Sequence, residues 1–434
     1  MDARDITLTI LLDMEVNQTF SSVAIAKALR QNQFENKTDR AFITRLAEGT
    51  TEYRITLDYI IDKFSKIKVK KCKPLIRCLL RMGTYQIMYM DSVPDSAACN
   101  EAVKLARKHG FSNLSGFVNG VLRNIAREKE TIEYPKKTED AVQYLSVKYS
   151  VPVWLVEKLL CDYPEQAETI LRGTQQERDT TIRVNTNKIE KTELAEMLTS
   201  AGISVENGVY DDKALHIAGY DFIRRVPGYK QGYFTVQDES SMCAVRAAGI
   251  KPGNRVLDVC AAPGGKTTAA AEFLQGNGHV YAMDIAEDKL ALIEENVDRL
   301  GFQNVTIRVH DATEILREDA SGNDIFQADV VIADMPCSGL GVMGRKNDIK
   351  YRVTAQQLEE LVQLQRQIFD TVHQYVRPGG TLLYSTCTIN PDENQKNVEW
   401  FLQKYDKFHL QEQRLFLQGV DRCDGFYYAV LKRA

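Results

Sequence analysis

The stretch Arg255-Val-Leu-Asp-Val-Cys-Ala-Ala-Pro-Gly-Gly-Lys-Thr267 runs from a short apolar segment through a glycine-rich turn into a helix-forming segment. After it, short apolar runs alternate with longer segments whose apolar residues recur every three or four positions. The apolar runs predict strands at 255–260, 279–283, 305–309, 328–333 and 381–385. The periodic segments predict helices at 267–274, 287–300, 355–375 and 393–404. This alternation predicts a doubly wound, Rossmann-like α/β sheet that binds ligands at the carboxyl ends of its strands.

The glycine-rich turn is the first candidate binding element. A turn of this kind after a first strand lets a ligand approach the backbone and the N-terminus of the next helix. Gly265-Lys266-Thr267 also ends as a phosphate-binding loop ends, but such a loop requires a glycine where this sequence has Cys260. The missing glycine disfavours a nucleotide triphosphatase.

Two acidic residues follow the next two predicted strands. Asp284 ends the second strand, 20 residues beyond Gly264, a spacing at which a carboxylate accepts hydrogen bonds from the hydroxyls of an adenosine ribose. Asp311, just after the third strand, is placed to accept from an adenine amino group. Each of them alone could be a helix cap. Acids at successive strand ends favour a nucleotide-like cofactor instead.

Two cysteines follow the last two predicted strands. Cys337 lies in Asp334-Met-Pro-Cys-Ser338, and Cys387 lies in Thr386-Cys-Thr388. A single cysteine in such a place is more often a small buried hydrophobic residue. A pair of them at the ligand-binding edge of a sheet favours thiolate chemistry.

Residues 1–130 form a different region, with helical periodicity at 24–29, 41–60, 75–90 and 99–109 and a turn at Pro94. It holds 21 Lys and Arg against 15 Asp and Glu, whereas the rest of the chain holds 34 against 44. This asymmetry is typical of a module that binds a polyanion. A solvated helix end is the alternative interpretation of its densest group, Lys63, Lys66, Lys68, Lys70, Lys71 and Lys73.

Two parts of this region resemble an all-helical RNA-binding family. Arg81-Met-Gly-Thr-Tyr-Gln-Ile-Met88 and Phe117-Val-Asn-Gly-Val-Leu-Arg123, with Val93-Pro94 and Asn100-Glu-Ala-Val103 between them, are similar to a NusB-type domain. The resemblance implies a helical bundle at 1–130 that binds RNA. We expect a linker at 131–140, a small α+β domain at 141–240, and the catalytic Rossmann-like domain at 241–434.

The remaining composition excludes several classes of protein. The nine cysteines include no C-x-x-C pair and none beside a histidine, so we expect no metal site and a reducing compartment. No apolar run approaches the roughly 18 residues of a membrane span, and the acidic start does not resemble a signal peptide. We therefore expect a cytoplasmic protein without a membrane segment, and a monomer.

The motifs of the catalytic region together resemble the RsmB/Sun family of RNA 5-methylcytosine transferases. They are Ala261-Ala-Pro-Gly-Gly-Lys266, Asp334-x-Pro-Cys-Ser338 and Ser385-Thr-Cys387, preceded by Arg183-Val-Asn-Thr186 and Gln237-Asp-Glu-Ser-Ser241. The family joins a NusB-like domain to this catalytic domain, which is the order here. Met335 stands where the family commonly has alanine, and Arg345-Lys-Asn-Asp348 lacks a proline often found there. Both departures bear on the shape of the base pocket.

The resemblance implies an S-adenosylmethionine-dependent transferase that methylates carbon 5 of a cytosine in 16S ribosomal RNA through a covalent cysteine adduct. It assigns the nucleophile to Cys387, product release to Cys337, and a position near the methyl group and target base to Asp334. DNA enzymes attack with the Pro-Cys cysteine, so the presence of both cysteines favours RNA. Cofactor contacts are expected from Cys260, Ala261, Ala262, Pro263, Gly264, Gly265, Lys266, Asp284, Asp311 and Asp334.

Two alternatives remain open. One is a transfer-RNA cytosine methyltransferase of the same superfamily. The other is an RNA-binding assembly or antitermination factor with a vestigial catalytic domain. The presence of Cys337, Cys387 and Asp334 speaks against the second, because a vestigial domain would be free to lose them.

Overall fold

A computed structural model describes residues 2–31, 37–317 and 325–434. The chain forms two compact units, one of residues 1–175 with 343–352 and the other of residues 176–342 with 353–434. The division falls inside the range 141–240 that the sequence suggested as one domain, and the domain boundaries stay a prediction. In the described part of the chain, no helix combines the length and apolar character needed to cross a lipid bilayer.

The first unit is helical. Its first helix and its third to seventh helices bury one apolar core, as the periodic pattern predicts, with Leu79, Leu80 and Met82 fully enclosed. The second helix packs with the first and the third in a second, smaller apolar cluster. A single helix was expected over 41–60, but the chain forms two helices there, separated at Tyr53. The helices are α1 Ala3–Val16, α2 Ser21–Gln31, α3 Lys37–Glu52, α4 Arg54–Phe64, α5 Pro74–Tyr89, α6 Asp95–Lys108, α7 Ser115–Glu128, α8 Ala141–Tyr149, α9 Val153–Asp162 and α10 Ala167–Gly173.

The second unit begins with a small antiparallel sheet in the strand order β2-β3-β1-β4. Helix α11 contributes Leu194 and Leu198 to the core of this layer, where they pack with Ile182 and Phe234. This sheet and α11 have the α+β character that the sequence predicts for this part of the chain. The elements are β1 Thr180–Val184, α11 Lys191–Ser200, β2 Ser204–Asn207, β3 Ala214–Ala218, β4 Phe234–Val236 and α12 Glu239–Ala247.

The larger sheet has seven strands in the order β10-β11-β9-β8-β5-β6-β7. Strands β5 to β9 are parallel, and the chain reverses its direction of travel across the sheet between β5 and β8. Such a reversal opens a crevice at the carboxyl ends of the strands. Strands and helices are β5 Arg255–Asp258, α13 Gly265–Phe273, β6 His279–Asp284, α14 Glu287–Leu300, β7 Val305–Val309, β8 Ala328–Asp334, α15 Ile349–Arg352, α16 Ala355–Val372, β9 Val376–Thr386, α17 Gln395–Lys404, β10 Phe408–Phe416 and β11 Phe426–Arg433.

Alternation along the strands builds a core on each face of this sheet. Val256 packs among residues of α12, α13 and α14, whereas its neighbour Leu257 packs among residues of α16 and α17. The pairing of β5 to β9 confirms the predicted parallel strands. The antiparallel pair β10 and β11 was not predicted, and α17 begins at Gln395 rather than at the expected Glu393.

The segment 343–352, which includes α15 and the departure noted at 345–348, clusters with the first unit rather than with the strands that flank it in the chain. Asp348 is buried there and accepts hydrogen bonds from the backbone and side chain of Ser21 at 3.1 and 3.0 Å. Asp348, in the loop that lacks the family's proline, thus has a packing role in the helical unit.

Candidate active site

The glycine-rich turn is fixed by backbone hydrogen bonds to the neighbouring strands. Val259 donates to the Ile332 carbonyl at 3.0 Å, and Ala261 donates to the Met283 carbonyl at 2.8 Å. Gly264 has a φ of 99°, a conformation that strains any residue with a side chain, and its added Cβ would lie 3.3 Å from the Ile293 backbone. Glycine at this position lets α14 pack closely against the turn.

Asp284 lies where the sequence analysis placed it, at the carboxyl end of β6. Its two carboxylate oxygens accept from the backbone N–H groups of Ala262 at 3.1 Å and Ala286 at 3.2 Å. The acid is thus oriented by the same turn that is expected to hold the cofactor. The carboxylate retains further acceptor capacity for a ligand hydroxyl.

Asp311 lies beyond β7, the strand at the edge of the sheet, and its bonds are local. One oxygen accepts from the backbone and hydroxyl of Thr313 at 2.9 and 2.7 Å, and these bonds lower the pKa of Asp311. This geometry is that of an acid that stabilises its own turn, whereas the alternative considered from the sequence was a helix cap. The other acids and both cysteines lie at the ends of β5, β6, β8 and β9, nearer the middle of the sheet.

Asp258 was missed as a site residue by the sequence analysis. It ends β5, is buried, and accepts from the Thr267 hydroxyl at 2.7 Å. Burial raises its pKa to about 7, with a further contribution from the charge of Asp334. An acid that ends a strand otherwise made of apolar residues was the available signal.

Asp334 connects the turn to the cysteine side of the site. One of its oxygens lies 2.7 Å from the Lys266 ammonium, and the other accepts from the Ser385 hydroxyl at 2.7 Å. Lys266 is nearly buried and its ammonium also lies 4.9 Å from the centre of the Phe426 ring. Lys266 is thus held in the site by an ion pair and an aromatic face, not exposed as a free surface lysine.

The two cysteines come together. The sulfur atoms of Cys337 and Cys387 lie 3.2 Å apart, at the ends of the adjacent strands β8 and β9. The pKa of Cys337 is raised by its hydrogen bond with Cys387 and then by burial. Cys260, in contrast, lies in the turn, where burial raises the pKa of its thiol. At 3.2 Å, both sulfurs can reach the same substrate ring.

Beneath the cysteine loops lies a buried polar cluster that the sequence analysis did not identify. It consists of Ser338, Gln365, Thr388, Asn390, Glu393, Asn394 and Asn397, all of them buried. The available signal was a run of four amide or acidic residues, Asn390 to Asn394 around Pro391, directly after the Ser-Thr-Cys motif.

The lysine group of the first unit lies around a single turn of 3₁₀ helix, Val69–Lys71, between α4 and α5. All six lysines are exposed. Lys68 pairs with Asp62 at 3.5 Å, and Lys73 lies over the Phe111 ring. In the described residues, no group of three or more metal-ligating side chains is close enough to hold a metal ion.

Comparisons with known proteins agree along the whole chain. Residues 247–432 match the family described as 16S rRNA methyltransferase RsmB/F, residues 1–127 match the NusB family, and residues 151–221 match the RsmF/B-like ferredoxin-like domain. A "Probable ribosomal RNA small subunit methyltransferase B" of Bacillus subtilis is 37% identical, over 93% of this chain and 89% of that protein. A ribosomal RNA small subunit methyltransferase B of Proteus mirabilis is 30% identical, over 96% of both chains. Among solved structures, that of PH0851 superposes with a TM-score of 0.83 at 25% identity, covering 100% of this chain and 99% of that one.

Proposed function

This chain belongs to the RsmB/F family of 16S rRNA methyltransferases, and we propose that it transfers a methyl group from S-adenosylmethionine to carbon 5 of a cytosine in 16S ribosomal RNA. The observation that carries the proposal is the pair of sulfurs, Cys337 and Cys387, at 3.2 Å beside Asp334. Carbon 5 of cytosine is too weak a nucleophile to attack a sulfonium methyl group unaided. A thiolate that adds to carbon 6 removes this obstacle.

The turn and the acids fit the proposed cofactor. Carboxylate oxygens accept from ribose hydroxyls, and Asp284 is already oriented by the turn; the open backbone at Gly264 and Gly265 allows close approach. In this proposal the cofactor-binding residues are Cys260, Ala261, Ala262, Pro263, Gly264, Gly265, Lys266, Asp284, Asp311 and Asp334. When bound, S-adenosylmethionine supplies the electrophilic methyl group.

Cys387 is the nucleophile in this mechanism. Its thiolate forms a bond to carbon 6, and the ring electrons pass to carbon 5. Carbon 5 would then take the methyl group as the bond between that group and the cofactor sulfur breaks, with its electron pair left on the sulfur. A base then removes the proton from carbon 5, and the electrons of that bond restore the ring double bond as the bond from sulfur to carbon 6 breaks. Cys337, 3.2 Å from the attacking sulfur, assists this release. Asp334 holds Lys266 beside the reacting groups.

RNA is the partner we assign to the first unit. The six exposed lysines around Val69–Lys71 can contact a phosphate backbone, which gives an affinity that falls with salt. The target cytosine has to leave any stacked helix before both faces of its ring can react. A loop or an accessible single strand of the ribosomal RNA therefore suits this site.

The test is transfer of labelled methyl groups from S-adenosylmethionine to unmodified 16S rRNA. We expect 5-methylcytosine with the wild-type chain, none with Cys387→Ala, and a covalent protein–RNA adduct on a denaturing gel with Cys337→Ala. Cys161→Ala, which changes an exposed cysteine of α9, is the matched control and retains activity. Methylation of transfer RNA alone would refute the assignment of 16S rRNA as the substrate. If no RNA is methylated, the proposed enzymatic activity is refuted.

Binding of the cofactor distinguishes the enzyme from a vestigial domain. A ligand that binds only the folded state raises the melting temperature as its concentration exceeds the Kd. We expect such a rise with S-adenosylmethionine at millimolar concentration. An unchanged melting temperature would favour the RNA-binding assembly factor.

A further inference from the structure

Glu393 is a fully buried carboxylate behind the two cysteines, in the turn between β9 and α17. One oxygen accepts from the Ser338 hydroxyl at 2.5 Å and the Asn390 amide at 3.0 Å. The other accepts from the Ser338 backbone N–H at 2.9 Å and the Gln365 amide at 3.0 Å. Three of these four donors are N–H groups, which suits a carboxylate, since its oxygens accept hydrogen bonds.

These bonds join the two cysteine loops. Ser338 directly follows Cys337, and Thr388 directly follows Cys387; their hydroxyls lie 2.7 Å apart. Each cysteine is therefore one peptide unit away from a residue of the same hydrogen-bonded cluster. The cluster joins the two loops beyond Asp334 and Ser385, the last residues that β8 and β9 pair.

The charge of Glu393 also acts on Cys337. A negative charge close to a buried thiol disfavours the thiolate, and Glu393 adds to the effects of Cys387 and of burial in raising the pKa of Cys337. Tyr384 is a further titratable group near Cys337, and its hydroxyl donates to the Glu393 backbone carbonyl. Asp334, paired with Lys266, lies three residues before Cys337 at the end of β8.

We propose that Glu393 is a positioning residue that ties the two cysteine loops together and places its carboxylate on the Cys337 side of the pair, at Ser338, so that Cys387 is the nucleophile. This inference rests on the proposed function, because it explains how two adjacent sulfurs take different roles. An enzyme with two equivalent thiolates 3.2 Å apart would face repulsion between them and attack by the wrong sulfur.

The test measures the initial rate at which iodoacetamide alkylates each cysteine of the full chain as a function of pH, with mass spectrometry to separate the two sites. In wild type we expect Cys387 to react at least about 10-fold faster than Cys337 at pH 8, since only the thiolate reacts. In Glu393→Gln, which keeps the length but removes the charge, we expect the alkylation profile of Cys337 to move to lower pH by about one unit. The surface variant Asp392→Asn, next in the chain and paired with Lys396, is the control and leaves both profiles unchanged.

Glu393→Asp separates charge from geometry. It keeps the charge but shortens the reach to Ser338, so we expect the Cys337 profile to stay near that of wild type while kcat for transfer falls about 10-fold or more and KM for S-adenosylmethionine does not change. A purely structural Glu393 would give a lower melting temperature in Glu393→Gln with an unmoved Cys337 profile, and that result overturns the inference. Should Glu393→Gln not fold, equal alkylation rates of the two cysteines in wild type would overturn it.

The alkylation experiment needs neither RNA nor cofactor, so its result does not depend on whether the proposed function is correct. If the protein methylates no RNA but its cysteines are alkylated as expected, the proposed function is refuted and the assignment of the two thiols stands. If the protein methylates 16S rRNA and kcat is unchanged in both Glu393→Gln and Glu393→Asp, the proposed function stands and the role of Glu393 is refuted.

Discussion

The glycine-rich turn and the two cysteine loops lie at the same end of one sheet, yet different interactions hold them. The turn is fixed by backbone hydrogen bonds to β6 and β8 and by a glycine with positive φ. The cysteine loops are held by buried side chains that come from far along the chain, 55 residues from Ser338 to Glu393 and 28 from Gln365 to Glu393. Substitutions of side chains should therefore disturb the second region more than the first.

Asp334 belongs to both regions, and its replacement should have the largest effect. In Asp334→Asn the ion pair with Lys266 is lost, while an amide oxygen can still accept from Ser385. We expect single-turnover methyl transfer to fall by about 10²- to 10⁴-fold, the range typical of a charged group at a reacting centre. Asp329→Asn, at the other end of β8, is the matched control and should lower the transfer rate no more than a few-fold. A similar loss in both variants would mean that strand packing, not the site, is affected.

A substitution at Gln365 disturbs the cysteine loops without touching the glycine-rich turn. Its amide donates to the Pro336 carbonyl at 2.9 Å and to Glu393, and its oxygen accepts from Asn397 at 2.7 Å. Gln365→Ala leaves these buried groups unsatisfied, so we expect kcat to fall about 10-fold or more and the free energy of unfolding to fall by about 1–3 kcal/mol. Cofactor affinity, measured by calorimetry, should not change. Gln356→Ala, an exposed residue of the same helix, serves as the control.

A substitution at Asp284 disturbs the glycine-rich turn without touching the cysteine loops. In Asp284→Asn the amide oxygen can keep only one of the two backbone bonds, from Ala262 or from Ala286, and one acceptor for a ribose hydroxyl is lost. We expect the Kd for S-adenosylmethionine to rise about 10-fold, with little change in kcat at saturating cofactor. Asp288→Asn, an exposed acid in the first turn of α14, should bind as wild type does. A lower kcat at saturation would contradict the separation of the two regions.

The smallest expected effect is a pH dependence of the stability of the folded chain, which comes from Asp258 in the turn region. Burial raises the pKa of Asp258 to about 7 from an ordinary value of 3.8, so between these values the folded chain holds a proton that the unfolded chain has released. The contribution of this group to stability therefore falls as pH rises through that window. Asp258→Asn removes the effect, and we expect its melting temperature, relative to that of wild type without cofactor, to rise by a few degrees between pH 5 and pH 8. A difference that is constant with pH would show that Asp258 does not titrate there.

These two regions also differ in how far the sequence predicted them. The turn, Asp284 and the positions of both cysteines after strand ends followed from local patterns, because strand periodicity and a glycine-rich turn are encoded by consecutive residues. Glu393 was expected to begin a helix and was not recognised as a site residue. Its role depends on partners at Ser338 and Gln365, which no local pattern connects to it.

The sequence by itself determined the class of the fold, the parallel strands β5 to β9 and the family, since hydrophobic periodicity and short motifs are local properties of the chain. Only the tertiary structure decided that the two sulfurs lie 3.2 Å apart, that Asp311 bonds to its own turn, and that segment 343–352 clusters with the helical unit. It also added the antiparallel strands β10 and β11 to the sheet. The physical reason is the same in each case: these features depend on contacts between residues far apart in the chain, or on which competing hydrogen bond an acid forms, and spacing along the sequence fixes neither.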